Sequence, residues 1–210
     1  MDLLEAIRSR RSVKHFDPTH KMTDDEIRHL MEHVALTPSS FNMQNWHFVA
    51  VRDQDTQDKL CAASWNQAQV KEASVTVVLC GAMKAYEKVE RYLRSAPEDV
   101  KTMFSGMIPG FYANEQLLRD EACRSIGLAG MTMMLMAREM GYDSCPMIGF
   151  DPKQVTEICG LPEDQIPLMM CTIGKAKEPA RGRMGLLNFE EILSYDSFGN
   201  HTLEGEINDA

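Results

Sequence analysis

Arg10-Arg11-Ser12-Val13-Lys14-His15-Phe16 places two guanidiniums, a hydroxyl and an ammonium directly after an amphipathic stretch marked by Leu3, Leu4 and Ile7. The apolar spacing predicts a first helix. The basic run then lies at and beyond its C-terminal end, where cations complement the helix dipole. Two roles are open to Arg10 and Arg11 there: capping the helix, or meeting an anion. Thr23-x-x-Glu26 follows as a capping box, and Ile27, Leu30, Met31 and Val34 recur at three- and four-residue spacing until Pro38 forbids continuation. This second helix leads straight into Pro38-Ser39-Ser40-Phe41-Asn42-Met43-Gln44-Asn45-Trp46, a dense polar cluster without charge. Hydroxyls and amides offer donors and acceptors together, which suits a sugar-like chain or a heterocycle edge. The two clusters together point to a phosphorylated ligand with a polar, planar body.

Beyond Trp46 the pattern alternates between strands and helices. Trp46 to Val51 reads as a short strand, and Ser74 to Cys80, almost wholly apolar and β-branched, as a central strand covered on both faces. Lys84 to Ser95 is helical by composition. Met103 to Tyr112 mixes apolar bulk with Gly and Pro, the composition of a flap over an apolar pocket or of a loop packed on the core. Asn114 to Met140 is the longest helical candidate. Its small residues Ser125, Gly127, Ala129 and Gly130 leave room for another helix, and its methionines read as adaptable core filler. Asp151-Pro152 opens a further helix, so Pro146 to Phe150 is a connector or short strand with free backbone amides. Pro167 to Gly174 is an apolar strand, and Lys175 to Gly185 a basic Gly/Pro-rich crossover. One domain over residues 1–199 is expected, with an acidic, flexible tail over 200–210.

Composition narrows the function. A chain of 210 residues can bury a sizeable core, and 31 acidic against 22 basic side chains, a net charge of −9, argue against a broad nucleic-acid surface. The basic cluster is therefore a small-ligand site. Six cysteines without a CxxC pair read as reduced thiols, and the acidic Met1-Asp2-Leu3-Leu4-Glu5 start is unlike a secretory signal, so a cytoplasmic protein is expected. The apolar run Ile126 to Ala137 is too short to span a bilayer, which excludes a membrane role. His29 and His33 are i, i+4 but lie toward the polar side of their helix, and no third ligand accompanies them, so no metal site is expected. GxGxxG and P-loop patterns are absent.

The two clusters, followed in order by Asn66-Gln67-Ala68-Gln69 with Glu72-Ala73-Ser74, by Gly141-Tyr142-x-x-Cys145-Pro146-Met147-Ile148-Gly149-Phe150-Asp151, and by Gly174-Lys175 with Pro179, Arg181 and Arg183, resemble the FMN-dependent nitroreductase family from about Leu3 to about Ile192. The resemblance implies an α+β fold with a central antiparallel or mixed sheet wrapped by helices, forming an intertwined homodimer with FMN at the subunit interface. It implies that Arg10, Arg11, Ser12, Lys14, Arg181 and Arg183 hold the phosphate, ribityl chain and part of the ring. Asn66 and Gln69 match positions facing the pyrimidine side of the flavin, with Gln69 standing where some relatives have lysine. Ser39, Ser40, Asn42 and Gln44 match positions that reach the flavin from the second subunit. Pro146, Met147, Ile148 and Gly149 match the segment that supplies a backbone N–H to flavin N5, with Ile148 as the donor. Phe41, Phe104, Phe111 and Tyr112 are the candidate acceptor-contacting aromatics.

The implied activity is a ping-pong transfer of hydride from NAD(P)H through the flavin to an electron-poor acceptor such as a nitroaromatic or quinone. Two alternatives stand beside it: reduction or dehydrogenation of another small acceptor, including free flavin, and flavin binding without catalysis. Cys145, next to the N5-facing segment, is a redox thiol if exposed and electropositive, and a packing residue if buried.

Overall fold

A computed structural model describes residues 1–207 of the chain, and the last part of the expected tail, 208–210, lies outside the described residues. Its framework is a four-stranded sheet built from β1 (Trp46–Val51), β2 (Val75–Ala82), β3 (Asp143–Met147) and β4 (Gln165–Gly174) in the order β1-β2-β4-β3, with every neighbouring pair antiparallel. β2 is interior and almost wholly buried, as its unbroken β-branched run demands.

Strand alternation divides that run between two layers. Val75, Val77 and Leu79 join the core formed with α7 (Glu115–Glu139), notably Ile126, Ala129, Met133 and Ala137, over which α2 (Asp24–Val34) packs. Val78 and Cys80 face the opposite layer, where Leu60 and Ala63 of α3 (Gln54–Ala63) and Val155 of α8 (Pro152–Cys159) close the core with Met147 and Met170. The α2 capping box forms as the sequence requires, with the Thr23 side chain on the Glu26 N–H at 3.2 Å and Glu26 returning to Thr23 N–H at 2.8 Å. α+β architecture with an antiparallel central sheet is thus the observed fold.

Three sequence expectations need correction. Gly130 does not receive a second helix: it lies against the chain's own sheet, where an added Cβ would stand 2.1 Å from Met169 Cε and 3.6 Å from Leu79 Cδ2. Gly127 faces open space instead. Met103 to Tyr112 is not a loop but the last turns of α6 (Glu98–Phe111) with its C-cap. Phe104, Ile108 and Tyr112 recur every four residues and pack on Met43, Val89 and Tyr92, while Gly106, Pro109 and Gly110 face solvent. Lys84 to Ser95 is not one helix but a 3-10 turn (Ala85–Glu87) and the single turn α5 (Val89–Tyr92). Burial of Val89, Tyr92 and Leu93 in the same cluster outweighs the helix propensity of the polar run.

The helix α1 (Leu3–Ser9) forms, yet only Ala6 is buried; Leu3, Leu4 and Ile7 are exposed. Its C-terminal end is fixed by Arg138, which donates to Ser9 Oγ at 3.0 Å and pairs with Asp143 at 2.8 Å. Beyond Lys175 the chain runs without regular structure to α9 (Phe189–Ile192), and Gly205 returns onto Phe189 and Glu190 through backbone and carboxylate bonds.

Candidate active site

β3 is an edge strand, and the segment after α1 extends the sheet beyond it. Ser12 bridges Ser144 in parallel, Val13 N–H donates to Ser144 O at 3.1 Å, and Phe16 bridges Ala176. Val13 and Phe16 are buried, whereas Ser12, Lys14 and His15 are exposed. The Lys14 ammonium sits 3.4 Å from Cys145 Sγ. Cys145 is itself buried, which makes it a packing residue in this state rather than an accessible thiol.

The basic residues gather at the end of α1. Arg11 donates to Arg8 O and, at 2.9 Å, to Arg10 O; Arg183 donates to Ile7 O at 3.2 Å and to Arg8 O at 3.5 Å. The capping reading is thus observed, and the same residues concentrate positive charge at the end of α1. The Arg10 guanidinium is held below its ordinary pKa, first by burial and then by repulsion from Arg183 and Arg11. Among the described residues no carboxylate pairs with Arg10, Arg11, Lys14 or Arg181. Arg181 is exposed on the loop leading to Arg183. Like charges assembled without carboxylates favour a bound anion.

At the other end of β3, Ile148 and Gly149 leave the strand. Ile148 is 78% exposed, and among the described residues neither its N–H nor that of Gly149 has an acceptor, although Ile148 O takes the Phe150 N–H at 3.1 Å. Gln67, which sequence reasoning did not single out, holds this turn by donating from Nε2 to Gly149 O at 3.0 Å. An added Cβ at Gly149 would stand 2.7 Å from the Trp65 ring, so the glycine is needed for close approach. Gln69 is buried, with Nε2 on Gln67 Oε1 at 3.0 Å and Met147 Sδ at 3.8 Å, whereas Asn66 is exposed. Pro146 is half-buried and Met147 buried between these groups. Glu72, at the end of α4 (Gln69–Glu72), takes Phe16 N–H and the His15 ring at 3.2 Å each and so ties the basic segment to the Asn66–Gln69 segment.

The remaining predicted residues are assembled elsewhere. Ser39 Oγ accepts Gln44 N–H at 2.8 Å, Asn42 Nδ2 donates to Tyr92 O at 2.9 Å, and the Tyr112 hydroxyl donates to Ser40 Oγ at 2.7 Å. The Phe41 ring meets Phe104 at 5.1 Å, Phe111 at 6.0 Å and Tyr112 at 6.2 Å between centroids, all edge-on. Tyr112 is buried and supports the group from behind, while Phe111 is exposed and Phe41 and Phe104 half-buried. This cluster directly precedes β1, the opposite edge of the sheet from β3. Three strand spacings of about 4.8 Å separate the two edges by roughly 14 Å, more than any hydrogen bond spans.

Backbone conformation marks both regions. Among the described residues, five of the six non-glycine residues with positive φ lie in them: Phe41, Asn42 and Gln44 on one side, Trp65 and Asn66 on the other. Left-handed non-glycine residues cost about 1–3 kcal/mol each and persist where surrounding structure fixes them, often at functional sites. Two of the five are asparagines, which tolerate this region best and were the only sequence sign of it.

The chain is similar to known proteins over most of its length. The nitroreductase family model matches residues 7–175. The chain belongs to the nitroreductase family. It is thus an oxidoreductase of that family. It is 45% identical over 185 residues to Protein DrgA of Synechocystis sp., covering 87% of this chain and 88% of that protein. It is 33% identical over 183 residues to YodC of Bacillus subtilis, named as an NAD(P)H nitroreductase, covering 84% and 91% respectively. A nitroreductase from Exiguobacterium sibiricum solved in complex with FMN superposes with a TM-score of 0.87 at 30% identity, covering 93% of this chain and 98% of that one. Among the described residues no helix is long and apolar enough to cross a membrane, and no group of three or more His, Cys, Asp or Glu residues could hold a metal ion.

Proposed function

We propose that this nitroreductase-family protein is a cytoplasmic homodimer that binds FMN along the β3 edge and passes hydride from NAD(P)H to an electron-poor acceptor such as a nitroaromatic or quinone. The observation that carries this reading is the edge itself. Among the described residues Lys14, which has no carboxylate partner, stands beside Cys145, and the amides of Ile148 and Gly149 have no acceptor. Three extended residues, about 10 Å, separate Cys145 from Ile148. That length suits a phosphate on a five-carbon chain ending in a ring, so the donors present fit FMN.

When bound, the flavin supplies the hydride-accepting and hydride-donating ring. The chain's own residues bind and orient it. Arg10, Lys14 and the exposed Ser12 hydroxyl neutralise and hold the phosphate end, with Arg11, Arg181 and Arg183 adding positive potential. The Ile148 N–H would donate to N5, where negative charge develops as the ring is reduced, and preorganised amides of this kind stabilise such charge strongly. Gln67 keeps that amide aimed by fixing the Gly149 carbonyl. Asn66 is free to meet the pyrimidine edge.

The polar loop and aromatic group before β1 stand at the opposite edge of the sheet from these cations and amides, and we assign them to the partner's flavin. Exposed Leu3, Leu4 and Ile7 on α1 provide apolar surface for that association. Phe41, Phe104 and Phe111 then offer edge-on aromatic surface to a planar acceptor.

The purified protein is expected to be yellow, to release FMN rather than FAD on denaturation, and to bleach on anaerobic addition of NAD(P)H. Mass analysis of the chromophore together with the visible spectrum measures both. FAD, or a bound flavin that NAD(P)H leaves oxidised, would contradict the proposal.

A further inference from the structure

A cavity of about 450 Å³ opens beside Asn42 and Gln44, walled on its other side by the segment from Arg91 to Ala96. It adjoins the polar loop assigned above to the partner's flavin, yet its chemistry is that of a second anion site. Arg91 and Arg94 lie on its wall, both exposed, and neither guanidinium has a hydrogen-bond or carboxylate partner among the described residues. Among the described residues the backbone N–H groups of Arg94 and Ser95 have no acceptor and the Ser95 hydroxyl has no partner. No acidic residue lines the cavity. Two carboxylates of the neighbouring helices, Glu98 and Glu90, are instead drawn to Lys101, whose pKa is raised first by its hydrogen bond to Glu98 and also by the charges of Glu98 and Glu90.

Two guanidiniums, two amides and a hydroxyl around a cavity of this size match a phosphate monoester on a larger polar body. The reading above assigns the FMN phosphate to the Arg10–Lys14 cluster, which leaves this cavity for a second phosphate. We infer that this cavity takes the 2′-phosphate of NADPH, and that Arg91 and Arg94 make the enzyme select NADPH over NADH. The inference rests on the hydride-transfer reading above. NADH carries a neutral ribose hydroxyl at this position and leaves both guanidiniums without an anion, so the discrimination is one of charge.

The test compares anaerobic flavin reduction by NADPH and NADH in the wild-type holoenzyme and in the Arg91→Ala/Arg94→Ala variant, with Arg94→Lys as the charge-conserving control. Binding of adenosine 2′,5′-bisphosphate, measured by equilibrium dialysis, supplies a readout independent of turnover. The wild type is expected to prefer NADPH. The double variant should lose that preference, its kcat/KM ratio for NADPH over NADH falling roughly ten- to a hundred-fold for each strong contact removed, with a parallel loss of bisphosphate binding and partial rescue in Arg94→Lys. Equal use of the two nucleotides by the wild type, or an unchanged ratio in the variant, would overturn the inference while leaving the hydride-transfer reading intact. Weaker FMN binding at an unchanged ratio would assign the cavity to the flavin phosphate and also overturn it. If neither nucleotide reduced the flavin, the hydride-transfer reading would fall and the inference with it.

Discussion

Ile148→Pro is expected to slow flavin reduction by NAD(P)H about a hundred- to a thousand-fold, the usual loss when one preorganised donor to developing charge is deleted, while FMN remains bound. Ile148→Ala is expected to retain most of the rate. The contrast isolates the amide, because the Ile148 side chain is 78% exposed and fills no core space, whereas its N–H has no acceptor among the described residues. Proline at this position restricts Met147 to extended backbone, which it already adopts as the last residue of β3. The measurement is stopped-flow bleaching under anaerobic conditions, with circular dichroism confirming that both variants are folded. Equal rates in the two would mean that the reacting nitrogen takes its hydrogen bond elsewhere.

Lys14→Ala is expected to raise the dissociation constant for FMN roughly ten- to a hundred-fold, as loss of a charge-assisted contact requires, and to change riboflavin affinity little. Only the phosphorylated form uses the lost charge. Lys14 is the cleanest probe of the cluster because it takes no part in capping α1 and, among the described residues, its ammonium has one hydrogen-bond partner, the buried Cys145. Arg11→Ala, in contrast, removes donors to Arg8 O and Arg10 O and so also weakens the end of α1. Fluorescence titration of the apoprotein with both flavins distinguishes the two effects. Equal weakening of FMN and riboflavin by Lys14→Ala would remove the phosphate from this cluster.

What could be read from the sequence followed the range of the interactions involved. α2 was legible because its capping box lies within four residues, and β2 because a continuous β-branched run has one comfortable place, the middle of a covered sheet. α6 was not, since Gly106, Pro109 and Gly110 read locally as breakers while the deciding contacts of Phe104, Ile108 and Tyr112 come from Met43, Val89 and Tyr92. Gly130 shows the same limit: a small residue announces a close approach without saying of what, and here it is the chain's own Met169.

In the candidate site, the order of the polar strings pointed to the residues, but their grouping needed the sheet. Nothing local links Gln67 to the Gly149 carbonyl or Glu72 to the Phe16 amide. The strand order alone reveals that the two polar clusters occupy opposite edges. That separation supports the proposal that each flavin is held by two chains.

Sedimentation of apoprotein and FMN-loaded protein across a dilution series tests that claim most directly. If residues of both chains touch one flavin, FMN binds the dimer and not the separated chains, and it stabilises association by mass action. The FMN-loaded protein should therefore remain dimeric at dilutions where the apoprotein dissociates, with FMN affinity falling as the dimer is diluted away. A stable monomer that holds FMN with undiminished affinity would contradict the shared site and leave the β3 edge as one chain's private pocket.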